Sequence, residues 1–206
     1  MPAAGSARGL DARAPNPQGK GLVGLLLDWQ YSRPRGVVAK PPGRVLADYF
    51  TSLLVLSADF GFKPAYGQTY HLYREGSRWR LSLVAPHEWR SAEKKQAYVG
   101  ACVLHDDSTW SIEPSGNLGK PGPLADALVD VYAGFLERLG RDGTLEDELP
   151  FYEGRLPYYQ RLFAAALGRS LRGSLALGGQ SGRPGAEWLA SLPRDARKLL
   201  ARGETG

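Results

Sequence analysis

The 206-residue chain has one cysteine, Cys102, one methionine and three histidines. A lone cysteine excludes an intramolecular disulfide and leaves a thiolate zinc site without its ligands. A reducing compartment is the natural setting. Long hydrophobic runs are also missing. Gly21 to Leu27 is the longest in the N-terminal region, far short of the roughly 20 residues a membrane span needs. The first residues, MPAAGSARGLDARAPNPQGK, lack the apolar segment of a secretory signal. They are expected to form a disordered leader, residues 1–20, on a cytoplasmic protein with no membrane partner. Several catalytic signatures are absent as well. There is no Gly-x-x-x-x-Gly-Lys phosphate loop, no Gly-x-Gly-x-x-Gly after a strand, and no Gly-x-Ser-x-Gly elbow. Internal repeats and low-complexity blocks are lacking too.

Charge is unbalanced but not concentrated. The net charge is +5 and the pI about 9.4. The basic residues, mostly arginine, are spread along the chain, which suits an ordinary solvated surface better than a polyanion-binding stripe. What the chain does have is apolar and aromatic content: 43% hydrophobic residues, five Trp and ten Tyr. That composition belongs to a globular fold, not a disordered one.

Hydrophobic spacing sets the order of elements. Leu22, Leu25, Leu26 and Trp29 recur at helical spacing and predict a short helix docked on a core. Val45, Leu46, Tyr49, Phe50, Leu53, Leu54 and Leu56 form a second helical stripe, opened by Pro42. After Lys63-Pro64 the period changes to two. Gln68–Arg74 reads as a strand, and Glu75-Gly76-Ser77-Arg78 as a tight turn. Trp79–Ala85 is the return strand, with Trp79, Leu81 and Leu83 on one face, and Pro86 ends it. Tyr98–Leu104 and Thr109–Ile112 are further strands around a His105–Ser108 turn. Beyond residue 122 the pattern is helical again, in a segment rich in Leu, Tyr and Phe.

These spacings predict an α+β fold: a small antiparallel β-meander of three to four strands, flanked by N-terminal helices and a C-terminal helical tail. The expected organisation is a domain over 21–114, a linker over 115–122 and a helical region over 123–206 packed on the first domain.

One set of residues stands out. Gly67 precedes Tyr70-x-Leu72-Tyr73. Leu81-Ser82 follows the turn, and then come Pro86-x-Glu88-Trp89, Gly100, Leu104, Asp107 and Trp110. This order resembles the pattern of an uncharacterised domain family found in bacteria and, more distantly, in a small eukaryotic open-reading-frame protein. The resemblance covers roughly Phe62 to Trp110. It implies a fold unit and a residue set, with no reaction attached.

The set has a structural reading. Tyr70, Leu72, Trp79, Leu81 and Leu83 would pack one sheet face, Trp89 and Trp110 would cover it, and Glu88 and Asp107 would cap turns. It also has a functional reading. Tyr73, Arg80, Ser82, Glu88, Trp89, Asp107 and Trp110 would form a binding surface, provided the Pro-Glu-Trp corner and the Asp-to-Trp hairpin meet at one edge. The expected function is a non-enzymatic interaction module presenting this Tyr/Trp/acidic surface to a protein partner. One alternative is an RNA- or ribosome-associated protein, from the interleaving of Tyr73, Arg74, Arg78, Trp79 and Arg80. Another is an enzyme that pairs Glu88 with Asp107 as acid and base. No cofactor is expected. No metal is expected either, because His71, His87 and His105 fall on separate strands and turns. In the tail, Arg155, Arg161, Arg169 and Arg172 share the polar side of a long helix, and pairing with Glu146, Asp147 and Glu148 is the simpler expectation.

Overall fold

A computed structural model describes residues 22–151 and 154–200. The expected leader, residues 1–20, lies outside the described residues. The order is α1 (Leu22–Tyr31), α2 (Pro42–Leu56), β1 (Thr69–Glu75), β2 (Arg78–Ser82), α3 (Ala92–Gln96), β3 (Tyr98–Leu104) and β4 (Trp110–Pro114). A 3-10 turn, Gly116–Gly119, leads to α4 (Pro123–Leu139), α5 (Leu145–Glu148), α6 (Tyr158–Leu177), α7 (Gly185–Leu189) and α8 (Arg197–Leu200). Antiparallel strands with the helices segregated before and after them make the fold α+β.

The four strands lie in the order β2-β1-β3-β4, all neighbours antiparallel. A simple meander would place β3 beside β2. Here β3 pairs with β1, so the fold is two hairpins joined through β1–β3. The first turns at Gly76, whose φ of 58° suits the first position of a two-residue hairpin loop. Leaving β2, the chain crosses the outer face of the sheet, and residues 83–97 return it to the far side of β1. Tyr73 fastens this crossing by donating its phenol to the Val84 carbonyl at 2.8 Å.

Alternation sorts the side chains. Tyr70 and Leu72 face inward with Leu81, Cys102, Leu104, Trp110 and Ile112, all buried. Their pairing is Leu72 with Leu81, Tyr70 with Cys102, Cys102 with Ile112, and Leu104 with Trp110. A register shift after Leu72 lets Val99 enter the core while Tyr98 stays on the outer face against Tyr73, ring centroids 5.4 Å apart. Gly100 is required by close approach. A Cβ there would lie 2.4 Å from the Glu113 carbonyl oxygen. Leu83, expected on the inner face, is 53% exposed, because β2 ends at Ser82 and the alternation ends with it.

α2 runs through the middle of the molecule. Pro42 opens it, and Val45, Leu46, Tyr49, Phe50, Leu54 and Val55 are buried. Asp48, Thr51 and Ser52 of α2 are buried as well, and each has a partner. Ser52 Oγ accepts the Trp110 N–H at 2.9 Å, and Thr51 Oγ1 donates to the Leu199 carbonyl at 3.0 Å. The helical half closes on α2 from the other side. Phe50 meets Tyr132 and Phe135 of α4 edge-on. Phe163, Leu167 and Leu171 of α6 belong to the same hydrophobic cluster as the sheet's inner face.

α1 does not dock as its spacing predicts. Leu26 is 55% and Trp29 42% exposed. Leucines at three consecutive positions cannot share one side of a 3.6-residue helix. Polar contacts anchor α1 instead. The buried Asp28 carboxylate accepts from Lys63 Nζ at 2.8 Å and Tyr158 OH at 3.1 Å. Tyr66 OH donates to the Tyr31 carbonyl at 3.0 Å.

Candidate functional site

The highlighted residues separate into four places. The first is the outer-face corner. Ala85–Glu88 is a tight turn with proline at its second position, closed by Glu88 N–H to the Ala85 carbonyl at 3.0 Å. Glu88 Oε2 accepts the Ala85 N–H at 2.6 Å, and Ser82 Oγ accepts the Val84 N–H at 3.0 Å. Trp89 stands edge-on to Tyr73, centroids 6.2 Å apart. Tyr73 is thereby buried, and burial pushes its phenol above the ordinary value. His71 lies on the same face. Burial lowers its pKa, and the nearby Glu88 offsets part of that shift.

The second place is a buried ion cluster beside the β3–β4 turn. Lys40 Nζ reaches Asp48 Oδ2 at 2.5 Å and Asp107 Oδ2 at 2.6 Å. Arg44 Nε is 2.9 Å from the other Asp48 oxygen. Thr109 donates its hydroxyl to Asp107 Oδ1 at 2.6 Å and its N–H at 3.1 Å. Burial alone would raise the Asp107 pKa. The Lys40 ammonium and the two Thr109 bonds outweigh it and hold the carboxyl below its ordinary value. The turn itself carries Ser108 at φ 64°, with Ser108 Oγ donating to the Ser32 carbonyl at 3.3 Å.

The third place is the core. Trp110 is 1% exposed and edge-on to Tyr70. The Pro-Glu-Trp corner and the Asp-to-Trp hairpin therefore do not meet. β2 and β4 are opposite edges of the sheet, Glu88 and Trp89 stand over its outer face, and Asp107 and Trp110 are held from the α2 side. Glu88 and Asp107 form no carboxylate pair. Tyr73 and Trp110, expected on a surface, are packed inside.

The arginine–aromatic interleaving is split: Tyr73 and Trp79 are buried, while Arg78 and Arg80 point to solvent. Trp79 is buried with the Arg74 guanidinium 4.6 Å above its ring. In the tail, Arg172 Nη2 donates to the backbone carbonyls of Glu146 and Leu149 rather than to carboxylates, both at 3.1 Å. Arg169 stacks 4.3 Å over Trp29. Among the described residues, no group of three or more His, Cys, Asp and Glu is placed to hold a metal ion. No helix among them is long and apolar enough to cross a membrane.

Arg80 and Ser82 remain on an open surface. With Arg78, Glu75 and Leu83 they line a groove of about 640 Å³, walled on the other side by Asp59–Phe62 and by Pro157 and Gln160 of the α6 entrance. Asp59 bridges β2 at one point, through its N–H to the Trp79 carbonyl and its carbonyl to the Leu81 N–H. Phe60 and Phe62 were not singled out from the sequence. Their spacing around Gly61 resembles any loop, and nothing local tells that this loop faces β2.

The fold and this groove define an α+β domain in which one helix, α2, is threaded between the sheet and a helical layer. Residues 43–119, from the start of α2 to the 3-10 turn, match a family described as "Protein of unknown function (DUF2452)". A stretch of 56 residues is 39% identical to a Caenorhabditis elegans protein described as "Uncharacterized protein C08B11.9". It covers 26% of this chain and 29% of that protein's length. No solved structure matches.

Proposed function

We propose that the protein is an interaction module that grips an extended acidic segment of a partner protein in the groove beside β2. The observation that carries this reading is the groove itself. It joins an edge strand, two exposed guanidinium groups and an apolar wall in one concave surface. Asp59 already takes the Trp79 carbonyl and the Leu81 N–H of that edge, so the side chains of the groove, rather than a strand ladder, would hold the segment.

The charges favour an acidic ligand. Arg78 and Arg80 side chains are 81% and 60% exposed, and their acidic neighbours Asp59 and Glu75 stand 4.0 and 3.5 Å away. Exposed pairs of this kind contribute about 0–1 kcal/mol, so both arginines can turn to a ligand at little cost. Glu75 is engaged by Lys94, which holds its pKa below the ordinary value. Leu83 and the Phe60–Phe62 pair, centroids 5.5 Å apart, offer an apolar seat between the charges.

Selection from a random peptide-display library on the immobilised protein tests the proposal. Peptides with acidic and apolar residues in alternation are expected, and Arg78→Glu/Arg80→Glu should weaken them at least about tenfold, or 1.4 kcal/mol. Peptides that bind this variant as tightly as the parent would sink it.

A further inference from the structure

We infer that the partner segment enters the groove beside β2 as an extended chain and gives one main-chain N–H to the side-chain oxygen of Gln160, so that Gln160 fixes its register. The inference rests on the groove reading above. Gln160 is the third residue of α6 and lines the wall opposite β2, where it is only 3% exposed. Its Nε2 donates to the Ala58 carbonyl at 2.7 Å. Only the amide nitrogen can donate to a carbonyl, so this bond fixes which end of the side-chain amide is which. The oxygen, Oε1, is buried and has no hydrogen-bond partner among the described residues. Buried acceptors are rarely left unpaired, and each one that is calls for an explanation.

The other acceptors around the groove are committed. Ser82 Oγ takes the Val84 N–H, and the Val84 carbonyl takes the Tyr73 phenol. Glu75 is held by Lys94. Among the described residues that line the groove, Gln160 Oε1 is the buried side-chain acceptor without a partner. It is also neutral, so it accepts an N–H without repelling the acidic side chains beside it.

That arrangement limits the occupant. A segment that displaces water from the groove brings N–H groups that must be paired. Because Asp59 occupies the edge at Trp79 and Leu81, β2 has no ladder to offer them there. In a helix every N–H beyond the first turn already bonds within the helix, and a proline has none to give. An extended chain keeps its N–H groups free and sends successive side chains to opposite sides. Its acidic side chains then go to Arg78 and Arg80, its apolar ones to Phe60 and Phe62, and the N–H between them to Gln160.

The test takes the tightest peptide from the display selection and turns each of its amides into an ester, one at a time, which removes a single N–H and keeps every side chain. Binding to the full chain is measured by titration calorimetry. One ester is expected to weaken binding at least about fivefold, the worth of one hydrogen bond, and the others less than about twofold. Gln160→Met keeps the length of the side chain without its oxygen. It should weaken the unmodified peptide and abolish the penalty of that one ester. A second readout needs no variant: the Gln160 side-chain amide resonance should move when the unmodified peptide binds and move less with that ester. The inference fails if no single ester stands out, if its penalty persists in folded Gln160→Met, or if the Gln160 resonance stays in place. In each of those cases a peptide that still depends on Arg78 and Arg80 leaves the groove reading intact. An empty selection, or peptides indifferent to Arg78→Glu/Arg80→Glu, would overturn the groove reading and this inference with it.

Discussion

Replacing Lys40 with methionine keeps the aliphatic stem but removes the one cation that touches both Asp48 and Asp107. The three side chains are 11, 6 and 14% exposed, so solvent screens them little. Breaking a buried pair by removing one partner costs about 3–5 kcal/mol. Arg44 stays on Asp48 and Thr109 keeps both bonds to Asp107, which places the loss near the lower end, about 3 kcal/mol.

The pH dependence should also invert. With Lys40 present, Asp107 titrates below its ordinary value of 3.8, so its stabilisation holds above that pH and is lost as pH falls. Without Lys40, burial is opposed by the Thr109 bonds alone, and the pKa is expected to move up. The native state is then favoured at low pH and penalised as pH rises through the new value. Urea denaturation at pH 4.5 and 7.5 measures both effects. Lys40→Met should lose about 3 kcal/mol at pH 7.5 and clearly less at pH 4.5, and Lys40→Met/Asp107→Asn should recover part of the loss. A loss below about 1 kcal/mol at pH 7.5, or one that grows on acidification, would refute the reasoning.

Gly100→Ala should cost at least about 2 kcal/mol in denaturant titrations, because its methyl group meets the β4 backbone and forces the strands apart. Trp89→Ala should cost about 2 kcal/mol and expose Tyr73, seen as a phenol titrating nearer its ordinary value. Cys102 is fully buried and burial raises its thiol pKa, so a disulfide reagent at pH 8 should label it only at the rate of unfolding. Glu88→Gln should lower stability by about 1 kcal/mol or less, since it alters one charge-assisted turn bond on an exposed residue.

Much of the fold is legible in the sequence because its signals are local. The stripe from Val45 to Leu56, the change to period two at Tyr70, and Gly76 in the first turn each act over a few residues. The α+β class and the four antiparallel strands follow from them. Strand order is not local. Whether β3 pairs with β1 or β2 depends on the crossing at residues 83–97 and on the Tyr73–Val84 bond, which no spacing announces. α1 shows a different limit, since apolar periodicity there coexists with exposure and the anchors are polar contacts, the buried Asp28 among them.

The candidate site divides along the same line. Tyr73, Ser82, Glu88 and Trp89 are adjacent in sequence and remain adjacent in space. Asp107 and Trp110 complete the set in one dimension but face α2. Their real partners, Lys40 and Ser52, lie more than fifty residues upstream. Arg80 reaches a groove whose other wall, Phe60 and Phe62, becomes visible only after folding.

We propose that the groove beside β2 binds, while the Pro-Glu-Trp corner and the Asp-to-Trp hairpin hold the fold. The most direct measurement is amide chemical-shift mapping of a selected acidic peptide on the parent protein, repeated with Arg78→Glu/Arg80→Glu. The shifts should gather at Phe60–Phe62 and Arg78–Val84 and vanish in the variant while its melting temperature is unchanged. Shifts centred on Asp107 and Ser108, or retained in the variant, would contradict it.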